Sequence, residues 1–554
     1  MKSSPWFEKY PALFEREREQ LEARGYLMDR FVFARERRVA FSGSSNADPT
    51  RRLHIEFPHG YPSFPPSIRD DSTIAPLARH HNAATRQICL FGPGSGRWYS
   101  KLTAIDALDE AEDVLASTRP LSGPSDGDAP EPLTTQLRYA PGVAILVPPP
   151  LSEAALSEAH ILGHFELKME PLEAGKFCRG VVRKLEAGNE SFVCDPYHEQ
   201  LVGGHRRYGD VVLLPAGARE QDIRQYARDA AEKTKPKRRK DENWVAFRLK
   251  EEAQRTTQTR LAWVIGRYNR AGELELYRTF THREDERQAR IPGLMDLGSK
   301  KVMLVGCGCL GSRMAVALAA SGIGGIELLD RDVVDPYNSV RHELGIDYFG
   351  VSKAAGLACR LKTINPLLAR NGALRAWTCT LGTSVPAQQE EELLAAVASC
   401  DLVIDTTGAH HLSRWLNEVC QDLRVPTLYA SVTNGAWSGE IVRVIPGATG
   451  CWLCWMDQYY DSRPAAEPIA PGGFFAPGCD QPSFTGTGYE SAVVANLAVM
   501  MAIETLLQGK RPGRDFAADY ICWHGRSDDG APLLSAKFLP VSADPECTLH
   551  CGPA

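Results

Sequence analysis

A chain of 554 residues, 43% apolar and 24% charged, fills three or four domains at roughly 150 residues each and is too rich in core-forming side chains to be disordered. Its formal net charge of −6 argues against a general nucleic-acid or membrane-surface binder. The charged start (Lys2, Glu8, Lys9, Glu15, Arg16, Glu17, Arg18) does not read as a secretory signal. The longest apolar stretch, 492–507, is broken by Asn496 and Glu504 and reads as too short and too polar to span a bilayer. A cytoplasmic protein is expected, with most of its 15 cysteines reduced.

The first region, residues 1–120, ends in the amphipathic run 104–115. Ahead of it lies Phe57-Pro58-His59-Gly60-Tyr61-Pro62-Ser63-Phe64-Pro65-Pro66, with four prolines in ten residues. The missing N–H donors and fixed φ exclude a helix or a central strand and leave a rigid edge. His80-His81-Asn82, Ile88-Cys89-Leu90 and Arg97-Trp98-Tyr99-Ser100 follow in order. Cys89 leads into Phe91-Gly92-Pro93-Gly94, a loop, which weakens the reading of an inert core cysteine. Either histidine taken alone reads as a surface residue. Together these segments resemble the ubiquitin-conjugating fold, an α+β module. His81 stands where that family has proline, and Tyr99 shifts its Trp-Ser pair by one. The resemblance implies that Cys89 is a transfer thiol. Asn82 would orient the loop or stabilise the oxyanion formed when an amine attacks a thioester.

Residues 122–130 combine Gly, Pro, Ser and Asp so densely that no periodicity survives, and they read as a linker. Residues 131–284 carry no motif, and their fold stays unassigned. They hold apolar runs at 143–147 and 211–214, a charged helical stretch over 220–233 that Pro236 stops, and the basic cluster 235–240. That cluster reads as a solvated loop before it reads as a contact for an acidic partner.

From 285 to 554 the pattern alternates strand and helix: strands at 301–305, 326–330, 402–405 and 427–430, helices at 312–320 and 353–361. That is a doubly wound parallel sheet, and the fold class is multidomain α/β. The strand 302–305 runs into Gly306-Cys307-Gly308-Cys309-Leu310-Gly311. Such glycines permit a tight turn and close approach to phosphate at a helix N-terminus, and Asp330, ending the next strand, suits a ribose. Taken alone this fits any dinucleotide enzyme.

The residues downstream of that turn are more specific. Asp330-Arg331-Asp332, Asn338, Arg341 and Lys353 resemble the ThiF-type adenylating family, which includes the activating enzymes of ubiquitin-like proteins. The resemblance implies ATP with Mg²⁺, Asp330 and Asp332 at the ribose end, and Asn338, Arg341 and Lys353 on the triphosphate. Arg287 corresponds to an arginine that reaches the partner's ATP across a homodimer; a plain surface arginine is the other reading. The family's Asp-x-Thr-Asp is here Asp405-Thr406-Thr407-Gly408, without the final acid, so Asp405 takes over near magnesium or the ion is held differently.

Cys451-x-x-Cys454 and Cys547-x-x-x-Cys551 read as the four thiolates of a structural Zn²⁺ site, with two unrelated pairs as the alternative. Cys479, in the Gly/Pro-rich segment 477–488, stands where the family carries its crossover-loop cysteine and is expected to attack the acyl-adenylate.

A conjugating module ahead of an activating module resembles the conjugation proteins of CBASS antiphage operons. The implied substrate is the C-terminal glycine of a cGAS/DncV-like nucleotidyltransferase. It would pass through an adenylate and thioesters on Cys479 and Cys89 to a target lysine. Three alternatives stay open: a bacterial ubiquitin-like protein as substrate, sulfur-carrier adenylation, and a non-catalytic scaffold that only senses ATP. Neither membrane nor nucleic acid is expected as a partner.

Overall fold

The computed structural model describes residues 4–74, 77, 79–82, 85–90, 98, 101–118, 132–152, 162–214, 223–229, 244–252, 259–269, 271–283, 287, 290–291, 293–370, 372–379, 387–462, 464–468, 484–508, 518–549 and 551. The chain divides into two units, Met1–Arg283 and Glu284–Ala554.

After a helical turn at Trp6–Lys9, the first unit has helix α1 (Pro11–Ala23) and a four-stranded antiparallel meander: β1 (Leu27–Met28), β2 (Ala40–Ser44), β3 (Arg52–Glu56) and β4 (Ser67–Asp70). Helix α2 (Ala104–Ser117) follows, the amphipathic run lengthened by two residues. Its N-terminus is stopped by Asp106, whose Oδ2 accepts from Thr103 N–H at 2.7 Å. Leu53, Ile55, Ile68, Ala107, Leu108 and Ala111 bury one face of each element in a single core. Two carboxylates are buried in that core and satisfied. Glu17 accepts from Tyr61 Oη–H at 2.6 Å and from Ala104 N–H at 2.9 Å. Glu112 accepts from Tyr26 Oη–H, Asn46 N–H and Ala47 N–H. Tyr61 thereby pins the proline-rich segment to both helices.

The motif-free stretch is a sheet of eight strands: β5 (Ala140–Val147), β6 (Leu162–Leu172), β7 (Phe177–Ala187), β8 (Glu190–Val193), β9 (His205–Leu213), β10 (Trp244–Glu252), β11 (Thr259–Tyr268) and β12 (Leu274–Thr281). Their order is β5-β12-β11-β10-β9-β6-β7-β8, and β5 also pairs with β7. That pairing closes a seven-stranded barrel and leaves β8 as the outer arm of a hairpin. Alternation along β10 sends Trp244 and Ala246 to one core and Val245, Phe247 and Leu249 to another.

The second unit carries β13 (Lys301–Val305), β14 (Gly325–Leu329), β15 (Leu374–Trp377), β16 (Leu402–Asp405), β17 (Thr427–Val432), β18 (Ser438–Val444), β19 (Tyr520–Arg526) and β20 (Pro532–Leu539), in the order β15-β14-β13-β16-β17-β18-β19-β20. The strands from β15 across to β17 are parallel. From β17 onward the pairing is antiparallel, so the sheet is mixed and only part of it is doubly wound. The reason is the connection: residues 433–437 between β17 and β18 are too few for a crossover helix. Helices α3 (Cys309–Ala320), α4 (Lys353–Ile364), α5 (Ala387–Ala398), α6 (His410–Leu423), α7 (Trp452–Tyr459) and α8 (Gly488–Leu506) complete the unit. Val302 and Leu304 of β13 face one core, Met303 and Val305 the other, which is why this central strand reads as an unbroken apolar run. Helix α8 corrects the reading of its apolar stretch: by length and composition it could cross a membrane, and much of it is buried in the sheet's core.

Candidate functional site

Strand order reverses about β13, so the turns after β13 and β16 open side by side at the carboxyl edge of the parallel strands, where such sheets bind ligands. Gly306 sits at φ +89°, a conformation that strains any other residue. A Cβ on Gly311 would lie 1.9 Å from Gly306 O, so only glycine lets α3 start this close to the turn. A Cβ on Gly308 would meet open space. Helix α3 begins at Cys309, three residues before the sequence expectation, so its first N–H groups stand directly behind the turn.

The other side chains converge from the segment after β14. Asp330 Oδ2 accepts from Cys307 N–H at 2.7 Å and Oδ1 from Asp332 N–H at 2.8 Å, tying the glycine turn to that segment. Lys353, the first residue of α4, places Nζ 3.1 Å from Asp332 Oδ2. Asn338 lies in a single turn whose end its carbonyl closes, accepting from Arg341 N–H at 2.9 Å and His342 N–H at 2.8 Å. Arg341 Nη1 donates to Phe484 O at 2.6 Å, and its guanidinium lies 5.2 Å from the Phe484 ring centroid. Gly306, Gly308, Gly311, Asp330, Asp332, Asn338, Arg341 and Lys353 therefore share one edge of the sheet.

Sequence reasoning missed His342. It is buried, and its Nδ1 accepts from Leu344 N–H at 2.9 Å while Nε2–H donates to Cys307 O at 2.6 Å. Burial holds its pKa below the ordinary histidine value. The neutral ring is a strut between the glycine turn and the Asn338–Arg341 segment. Its place one residue after Arg341 was legible; its partner, a carbonyl 35 positions back in the chain, was not. Thr406 was missed too: its hydroxyl donates to Gly306 O at 2.7 Å and joins the two turns.

Two expected residues make contacts of their own within the chain. Asp405 is 2% exposed. Its Oδ1 accepts from Thr407 N–H and Oγ1–H, its Oδ2 from Ser413 Oγ–H at 2.6 Å. Burial raises its pKa above the ordinary carboxylate value, against the pull of those donors. Asp405 thus shapes the 406–408 turn, with Gly408 at φ +65°, and Asp332 is the exposed carboxylate beside Lys353. Arg287 Nη2 donates to Ala319 O at 2.6 Å, at the last turn of α3 and so the end away from the glycine turn.

Cys451, Cys454, Cys547 and Cys551 are buried with all four Sγ atoms within 4.8 Å of one another. Sγ separations of 3.9 Å (Cys451–Cys454), 3.6 Å (Cys451–Cys547), 3.4 Å (Cys454–Cys551) and 3.7 Å (Cys547–Cys551) are far too long for disulfides. They bracket the edge of about 3.8 Å that a tetrahedron with Zn–S near 2.3 Å requires. Asp544 N–H donates to Cys454 Sγ at 3.3 Å, a bond that suits a thiolate. The donor set fits zinc.

In the first unit, Cys89 is exposed. Its N–H donates to His80 O at 2.7 Å, and Ile88 pairs with His81 in an isolated bridge. Asn82 closes the connecting turn: Oδ1 accepts from Thr85 N–H at 2.8 Å and its carbonyl from Arg86 N–H at 2.7 Å. Arg86, at φ +62°, reaches the fully buried Asp70 with Nη2 at 2.9 Å, and Arg51 meets the same carboxylate at 2.5 Å. His81 is not at the surface: it is 1% exposed, with its pKa lowered to about 4 by burial and by Arg86. Trp98 Nε1–H donates to Pro62 O at 2.8 Å, joining two of the sequence segments. Cys479 lies outside the described residues.

Residues 285–526 match the ThiF family. A Sinorhizobium fredii protein, y4oA, is 29% identical over 272 residues, 48% of this chain and 45% of that protein, so the chain spans under half of that relative's length. A second protein of that bacterium, y4qC, is 23% identical over 505 residues, 85% of this chain and 84% of that one. The Pseudomonas aeruginosa protein named ATP-dependent ubiquitin transferase-like protein Cap2 is 29% identical over 180 residues, 32% of this chain and 30% of that protein.

Proposed function

We propose that the ThiF-family domain of this chain uses ATP to activate the C-terminal carboxylate of a protein, and that Cys479 and then Cys89 carry the acyl group to an amine. The observations that support this most directly are the open face of Gly308 and the ties that bring the Asp330–Asp332–Lys353 group and the Asn338–His342 segment to the glycine turn. A carboxylate oxygen attacks the α-phosphorus and the bond to the β-phosphate breaks, expelling pyrophosphate. Charge builds on the phosphate oxygens as this happens, and fixed cations stabilise it. A Cys479 thiolate then attacks the acyl carbon and AMP leaves. Transfer to Cys89 exchanges one thioester for another. Attack by a lysine amine forms the amide and returns the thiol. Asn82 acts in the last step by holding the turn that presents Cys89.

The substrate class we favour is the C-terminal tail of a cGAS/DncV-like nucleotidyltransferase, with a bacterial ubiquitin-like protein as the other donor. The likeness to a protein named Cap2 supports the first. Mg²⁺ accompanies ATP and, when bound, neutralises phosphate charge; Asp332 is the exposed carboxylate beside Lys353. Zn²⁺ in the four-cysteine cluster fixes the C-terminal segment and takes no part in the chemistry. A homodimer is part of this reading, and the exposed Tyr337, Val340, Ile346, Phe349 and Tyr489 are apolar side chains that a second copy would cover.

ATP–pyrophosphate exchange tests the reading. Exchange should require a protein with a C-terminal glycine and should survive Cys479→Ala, because adenylation precedes thiol attack. Arg341→Ala and Lys353→Ala should each lower it about 100-fold, corresponding to roughly 3 kcal/mol of transition-state stabilisation. Parent-level exchange in both variants would sink the assignment of the site.

A further inference from the structure

The buried face of α6 holds Ser413, Leu416, Asn417 and Cys420. Asn417 is 1% exposed, and an amide on such a face costs free energy unless both of its ends are paired. One end is paired: Oδ1 accepts from Trp452 N–H at 3.0 Å. Trp452 is the first residue of α7, so that N–H has no partner within its own helix. Asn417 thus caps a helix other than its own. Its Nδ2 is buried and has no oxygen or nitrogen acceptor among the described residues.

What that nitrogen meets is a sulfur of the four-cysteine cluster. Cys451 directly precedes Trp452 and is 0% exposed, so bulk water offers its sulfur nothing. Burial pushes the Cys451 thiol up, and Cys454 N–H and the Asn417 side chain pull against that rise. Four thiolates around one Zn²⁺ leave a buried excess of negative charge, which N–H donors offset. Cys454 has such a donor in Asp544 N–H at 3.3 Å. At Cys451 the corresponding group is the Asn417 amide. Its orientation is fixed by Trp452, since a backbone N–H must meet the oxygen and the nitrogen is left for the sulfur.

We propose that Asn417 is a positioning residue of the zinc site: its Nδ2–H donates to the Cys451 thiolate while its Oδ1 caps α7. This rests on the zinc reading above and is independent of the adenylation chemistry. Changing the amide does not set α7 adrift. The Trp452 ring also packs against His410 of α6, Tyr429 of β17 and Trp455 of its own helix, with centroids 5.7, 6.2 and 6.1 Å away. The specific loss is the donor to sulfur, and the thiolate is then a poorer fit to its buried site.

The test uses the full chain, stripped by a chelator and reloaded with Zn²⁺ or Co²⁺, as the parent, Asn417→Asp and Asn417→Leu. Aspartate keeps an acceptor for Trp452 N–H and loses the donor; leucine loses both and adds no charge. Both variants should bind Zn²⁺ about 10- to 100-fold more weakly in chelator competition. In the Co²⁺ form the thiolate-to-metal charge-transfer band should move to longer wavelength in both, because a thiolate without its hydrogen bond gives up an electron more easily. That band reads only metal-bound protein, so a general loss of stability does not imitate the shift. Parent affinity with the band at its parent position, in both variants, overturns the proposal. So does weaker binding with the band unmoved. A change confined to leucine makes Asn417 a helix cap alone, and one confined to aspartate is the effect of added charge; either overturns the proposal too. A parent chain that takes up neither ion removes the zinc reading, and this role with it, a result visible before any variant is made.

Discussion

His81 shows what one buried side chain does to its surroundings. Its Nδ1 accepts from Leu77 N–H at 3.1 Å, and burial lowers its pKa to about 4. In the unfolded chain the same ring titrates near 6.5. Above that value the imidazole is neutral in both states and contributes no pH dependence. As pH falls from 6.5 towards 4, the unfolded chain takes up a proton that the folded one refuses, and stability is lost, in total about 3 kcal/mol. Between pH 7.5 and 5.0 the loss should be about 2 kcal/mol. Hydrogen exchange of the α2 amides, in the parent and in His81→Gln, measures it: the parent should lose about that much more protection than the variant. Equal losses would clear His81 as the cause. The histidine was visible in the sequence beside Asn82, but its burial was not, because a single histidine between His80 and Asn82 carries no apolar pattern that marks a buried position.

Among the elements, the four cysteines are the best test of pattern against packing. Cys451 and Cys454 stand at the start of α7, and the second pair comes almost a hundred residues later, beyond β20. Elemental analysis of freshly purified protein should give about one zinc per chain, and Cys454→Ser should lose the metal and lower the unfolding temperature. Zinc-free parent protein would remove the site. Helix boundaries obey a related logic. The pattern at 353–361 was enough to place α4, and the starts of α4 and α8 are set by caps: Ser352 accepts from Ala355 N–H at 3.4 Å and Thr487 from Glu490 N–H at 3.4 Å. The barrel of β5–β12 had no comparable signal. Its strands feed two cores through alternation, its closure depends on β5 meeting β7, and no local pattern announces that pairing.

For the molecule as a whole the sharpest question is the order of the two thiols. If Cys479 receives the acyl group first, Cys479→Ala blocks thioester formation everywhere. Cys89→Ala then lets a thioester accumulate on Cys479 and stops conjugation. Non-reducing gels with ATP and a nucleotidyltransferase partner, run with and without added thiol, separate these cases. Thiol-resistant conjugates in Cys89→Ala would make Cys89 a structural cysteine.

Residue types alone single out the side chains of the edge proposed to hold the nucleotide. Glycines, Asp330, Asn338, Arg341 and Lys353 cluster within fifty positions, and a motif of turn, strand end and helix start is written in local residue types. The mixed α/β character is equally legible, because strand and helix periods differ. What those residues touch emerges only in the folded chain. Asp405 turned inward to Thr407 and Ser413, Arg287 went to the end of α3, His342 became a strut, and Asn434 came to hold two segments 18 residues apart. Asp405 finds its partners two and eight residues on, whereas the other three depend on partners brought near by the tertiary fold, and a hydrogen bond between distant positions leaves no periodicity in the chain. The same reason explains why the five-residue turn at 433–437, short enough to read directly, still had to be seen in place before it reversed the sheet.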